Sequence, residues 1–143
     1  MGAWDVGPFD NDTAADWCGD LDEAAPEERP VLIREVLSRV AEHGDEYLDS
    51  GEAEEAIAAA AVVASQLPGG TAVDTAYAPD FLLEGGSVEV DDDVPAIAVR
   101  ALDRIVREDS EWRDLWEESE ESYPLALASV RSIRATLEEA INQ

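Results

Sequence analysis

From Ala56 to Ala64 the chain reads Ala-Ile-Ala-Ala-Ala-Ala-Val-Val-Ala, without one polar side chain. Alanine is the best helix former, so this segment is helical. A helix that is apolar on every side must be covered on every side, because no face of it is suited to water. Its small side chains also let neighbouring backbones come close. The run therefore requires a central helix and several others around it. Ser50 caps that helix, which extends from Glu52 to Gln66, and the acids at Glu52, Glu54 and Glu55 suit the positive end of its dipole. Leu67-Pro-Gly-Gly ends it.

Five further segments carry the three-and-four spacing of an amphipathic helix. The first follows the cap residues Asn11 and Asp12, ends near Leu21 to Glu23, and sets Ala14, Trp17, Cys18 and Leu21 on one face. The second runs from about Glu27 to His43, with Pro30 in its first turn, Gly44 as its stop, and the stripe Leu32, Ile33, Val36, Leu37 and Val40. Beyond the central helix, Asp92 or Asp93 caps Val94 to Glu108, in which Pro95 is again in the first turn. Asp109 or Ser110 restarts the chain as a short helix carrying Trp112, Leu115 and Trp116. The last helix follows Pro124 and repeats Leu127, Val130, Leu137 and Ile141. The expected fold is all-α: one compact domain, residues 1–143, of about six helices, with one long irregular loop at about 67–91. That loop holds Tyr77, Phe81, Leu82 and Leu83 between Pro79 and Gly85-Gly86. Its apolar side chains either plug one end of the bundle or serve a partner.

Charge bears on the setting in which such a bundle folds. Thirty-five acids stand against nine basic residues, all nine arginine, for a formal net charge of −26. The acids are dispersed: residues 1–30 sum to −8, 31–70 to −6, 71–95 to −7 and 96–122 to −5, while 123–143 sum to zero. A surface of this kind repels itself in dilute solution and is relieved at molar salt, where the Debye length falls to about 3 Å. The composition is read as a halophilic acidic surface holding loosely bound cations. It argues against direct nucleic-acid binding, for which a basic patch is needed. No apolar run is long enough to span a bilayer, and the opening has neither the basic nor the apolar region of a secretory signal, so a cytoplasmic protein is expected. One cysteine, Cys18, and one histidine, His43, make no zinc cluster.

The opening, Met1-Gly-Ala-Trp-Asp-Val-Gly-Pro-Phe-Asp-Asn-Asp-Thr-Ala-Ala-Asp-Trp17, resembles the start of domain-of-unknown-function family 4259. The pattern there is Met-Gly-x-Trp-Gly-x-Gly-x-Phe-Asn/Asp-Asn-Asp-x-Ala-x-Asp-Trp/Phe. Asp5 departs from it at a position where that family has glycine. Ala60 to Gly70, Thr75 to Tyr77, Ala98 to Ile105 and Asp109 to Trp116 are similar to its later segments. The resemblance implies a shared fold and brings no activity, substrate or catalytic residue with it.

The residues with binding potential are Trp4, Phe9, Asp10, Asn11, Asp12 and Trp17 in the opening, Tyr77 and Phe81 in the loop, and Trp112 and Trp116 in the fifth helix. In the opening, aromatics pack as a plug while the Asp/Asn cluster caps backbone amides; a cation site is the alternative reading. Counting from Asp10, a calcium loop would need an oxygen ligand at Ala14, glycine at Ala15 and glutamate at Leu21, so this is not an EF-hand. No catalytic residue, resident metal or cofactor is assigned. Three function classes follow. The leading one is a non-catalytic protein-binding or regulatory factor of the immunity type, whose partner is another protein. The second is an acidic decoy that imitates nucleic acid. The third is an enzyme using carboxylates, Asp10, Asp12 and Asp16, alone or with a metal.

Overall fold

The computed structural model describes residues 7–70 and 78–142, and within them the chain forms seven helices and no strand. They are α1 (Asp12–Glu23), α2 (Arg29–Ala41), α3 (Ser50–Ser65), α4 (Asp80–Leu83), α5 (Val94–Val106), α6 (Glu111–Glu117) and α7 (Tyr123–Ile141). Every residue from Ala56 to Ala64 is buried, and α3 touches α1, α2, α5, α6 and α7. The run that no water-facing side could accommodate is enclosed, as its composition requires. The other large contacts join α2 to α5 and α5 to α7. The all-α bundle read from the sequence is the fold. Among the described residues, no helix is long and apolar enough to cross a membrane.

Asp93 precedes α5 as expected, but neither it nor Asp92 makes a side-chain cap bond there, because the Asp93 carboxylate is taken up by Arg34. Two further details differ from the sequence reading. The cap of α3 is Asp49, whose carboxylate accepts from the Gly51 and Glu52 amides at 2.9 and 3.3 Å, while Ser50 is already helical. Glu111, at the start of α6, accepts from the Ser50 amide at 2.8 Å and completes the cap in trans. Two carboxylates thus satisfy three first-turn amides at the positive end of the central helix. The Ser50 amide bond is also why the Glu111 carboxyl is held below its ordinary range.

The second difference lies in the loop expected to be irregular over 67–91, which contains α4. Its C-terminus is a Schellman motif: Gly85 donates to the Leu82 carbonyl at 3.1 Å and Gly86 to that of Phe81 at 2.7 Å. Gly85 has φ +90, and a β-carbon on Gly86 would come within 2.6 Å of the Phe81 carbonyl oxygen. The paired glycines that read as a loop are the end of a helix. Further along, Val88 donates to the Gln66 side chain at 3.2 Å, tying the loop back to the end of α3.

A buried arginine locks the opposite connections. Arg104 of α5 is 5 % exposed. Its Nε donates to the Gly44 carbonyl at 2.8 Å, and its Nη2 to the carbonyls of Glu46 and Asp109 at 2.5 and 3.2 Å. The α2–α3 loop is thereby joined to the α5–α6 loop. The two loops also pair directly, with Leu48 donating to the Asp109 carbonyl and Glu111 to that of Leu48, both at 2.9 Å. Guanidinium has five donors in a rigid fork and keeps its charge, so it can satisfy several buried carbonyls that lysine could not.

Candidate functional site

The Asp10-Asn11-Asp12 cluster is engaged largely with backbone. Asn11 is the N-cap of α1, its Oδ1 accepting from Ala14 at 2.7 Å, and the Asp10 carboxylate accepts from the Gly7 amide at 3.1 Å. Asp12 is an exposed first-turn residue. Phe9 and Trp17 are buried in the core, as the plug reading expects. Trp4 and Tyr77 lie outside the described residues. Among those described, no group of three or more acidic, histidine or cysteine side chains is placed to hold a metal ion. The Asp91-Asp92-Asp93 triplet already serves a cation of the chain itself: Arg34 donates to both oxygens of Asp93, at 2.7 and 2.8 Å, and to Asp91 at 3.2 Å. That fork holds the Asp93 carboxyl below its ordinary range.

The two tryptophans of α6 separate in role. Trp112 is 5 % exposed and belongs to the core, whereas Trp116 is only partly buried, its ring centroid 6.4 Å from that of Trp112. Their spacing puts both on one side of α6, yet the core encloses only Trp112, and Trp116 packs at its edge. Phe9, Trp17 and Trp112 therefore present no surface to a partner; Trp116 presents part of one.

Phe81 lies at the end of the bundle where α1 finishes, α2 begins and α4 docks. The Asp22 carboxylate accepts from the Asp80 and Phe81 amides at 2.8 and 3.0 Å, a side-chain cap supplied from α1. Arg29 lies over the Phe81 ring, 4.0 Å from its centroid, and donates to the carbonyls of Leu21 and Asp22 at 3.0 Å. One arginine thus closes the C-terminus of α1 and covers the aromatic of α4. Phe81 and Leu82 pack on the core. Leu83 is 40 % exposed, and Val31, in the first turn of α2 at the same end, is 55 % exposed. Leu83 was visible in the loop by sequence, but nothing in the spacing of Asp22 and Arg29 shows that they hold α4.

The nucleophile inventory is set by burial. Cys18 is enclosed, and desolvation together with the nearby Asp22 charge pushes its thiol up to about 12. His43 Nε2 lies 3.2 Å from the Tyr47 carbonyl and Nδ1 lies 3.8 Å from Glu52. Of the acids, Asp12 and Asp16 are exposed and Asp10 holds a turn. The carboxyl with a strongly altered environment is Glu54 on α3, raised from 4.5 to about 7 by burial and then by the charges of Asp49, Asp12 and Glu111. Those three acids come from three different segments, so no sequence spacing marks it.

A family model described as Domain of unknown function (DUF4259) matches residues 2–127, and the chain belongs to that family. No curated protein and no solved structure matches it. The family match ends inside α7, so most of that helix lies beyond it.

Proposed function

We propose that this member of the DUF4259 family is a non-catalytic protein-binding factor that occludes a partner protein with the end of the bundle built from α1, α2 and α4. The observation that carries this reading is the fixing of α4: Asp22 caps it and Arg29 covers its aromatic ring, while Leu83 is left exposed. Val31 adds a second exposed apolar side chain at that end. A short helix held by its neighbours loses little freedom when a partner covers it, which lowers the entropic cost of association. Apolar contact also suits this chain, because its long-range field at −26 repels any acidic partner and favours one with basic groups around an apolar centre.

The test is affinity capture from the native cell extract with the wild type and a Val31→Asp/Leu83→Asp variant of equal helicity. Retention of one protein by the wild type and its loss from the variant is the expected result. Capture of the same set by both forms, or of nothing by either, overturns the reading.

A further inference from the structure

α7 is 19 residues long, about 28 Å at 1.5 Å per residue, yet only Ala126, Val130 and Leu137 of it are buried. The segment that contains it, 123–143, has no net charge in a chain of −26. Its outward side carries Leu125, 59 % exposed, and then Ala128, Arg131, Ser132, Ala135 and Glu138, all exposed. Leu125, Ala128, Ser132 and Ala135 follow at intervals of three and four, the spacing of a seam that meets another helix, and Arg131 and Glu138 flank that seam one heptad apart. Beside them a groove of about 380 Å³ opens between α5 and α7, floored by Leu102, Val106 and Val130.

We infer that α7 is a self-association surface on which two copies of this chain pair antiparallel about a two-fold axis near Ser132 and Ala135, with Arg131 of each copy beside Glu138 of the other. The charges select this geometry. In a two-fold interface residue i meets j and j meets i, so one Arg–Glu match is made twice. In a parallel pairing the two copies of Arg131 would lie on opposite flanks of the seam, each facing Thr136, and no Arg–Glu match would form. Arg131 is free for the role: among the described residues it makes no ion pair, whereas Arg134 is held by Asp103 at 2.7 Å and by Glu138. That bond uses Oε1 of Glu138 and leaves its other oxygen for the second copy. The second α7 lies along the groove and covers its apolar floor. Two bodies of −26 repel at low ionic strength, so association strengthens as salt rises, although each Arg–Glu contact is itself weakened. This surface is separate from the α1/α2/α4 end, and either proposal stands without the other.

Sedimentation equilibrium in molar potassium chloride tests it, using the wild type, Arg131→Glu, Glu138→Arg and the double exchange, with helicity measured alongside. The wild type is expected to dimerise and each single exchange to weaken the dimer about threefold, since two attractive contacts become two repulsive ones and screening leaves only part of their energy. The double exchange reverses both charges, restores both pairs and should regain the dimer, a rescue that a merely structural role for either residue would not produce. A wild type that stays monomeric at every concentration and salt, single variants that dimerise like the wild type, or a double variant that fails to recover overturns the inference.

Discussion

At the scale of single residues, charged side chains placed against backbone join segments that lie far apart in the sequence. Arg104 satisfies the carbonyls of Gly44, Glu46 and Asp109 from a site 5 % exposed. Replacing it with methionine keeps much of the volume but removes three charge-assisted bonds, at about 1 kcal/mol or more each; the Gly44 and Asp109 carbonyls keep Arg107 and Leu48 as donors, while that of Glu46 loses its own. Arg104→Met should cost about 3 kcal/mol, read as a lower urea midpoint at constant salt. Glu54 acts with the opposite sign. Its carboxyl is raised from 4.5 to about 7 in the folded protein, so between those values the folded form holds a proton that the unfolded chain releases. The stability associated with Glu54 is therefore complete below about pH 4.5 and is lost as pH rises through 7. Glu54→Gln should raise the melting temperature by a few degrees at pH above 7 and flatten its fall across that window. Thermal denaturation at matched pH values and constant salt reads both. Neither residue announces itself in the sequence, where Arg104 is one of nine arginines and Glu54 one of thirty-five acids.

The helices themselves were legible to very different degrees. α3 could be read almost completely, because a run with no polar side admits one kind of surroundings. Its tight packing makes it intolerant of bulk: Ala60 is fully buried, and Ala60→Leu should cost about 2 kcal/mol or more, seen in the same urea titration. α4 is not legible as a helix in the sequence. Four residues make barely one turn, too short for any periodicity, and its N-terminal cap is Asp22, nearly sixty residues away in sequence. Its Gly85-Gly86 stop was visible, but such a pair also marks a loop. Removing the cap separates local from global stability. Asp22→Ala should speed hydrogen exchange at the Asp80 and Phe81 amides several-fold, and cost the whole fold only about 1 kcal/mol. The candidate binding end shows the same limit. Leu83 and Phe81 stood out as apolar residues in a loop, while the tether that orients them is tertiary.

At the scale of the whole molecule, the −26 charge is opposed by ion pairs that are mostly exposed, such as Arg34 with Asp91 and Asp93, and Arg107 with Asp45. Exposed pairs contribute little each, so the fold is expected to gain stability when added salt screens the repulsion among its carboxylates. Helical circular dichroism and the urea midpoint should both rise from dilute to molar potassium chloride; a midpoint independent of salt would show that the fold tolerates its charge unscreened. By itself the sequence determined that the chain is a helical bundle around α3, where each helix of several turns lies, and that its acids are dispersed along the chain rather than gathered in one segment. Those are properties of periodicity and composition, which act over one or two turns or over the whole chain at once. Only the tertiary structure decided which aromatics are core, since the spacing of Trp112 and Trp116 is the same whether a neighbour covers one, both or neither. It alone decided that Asp22 and Arg29 hold α4, that Arg104 joins two loops, and that one side of α7 is left open. Those contacts depend on which distant segments meet, and a local pattern of side chains carries no record of that.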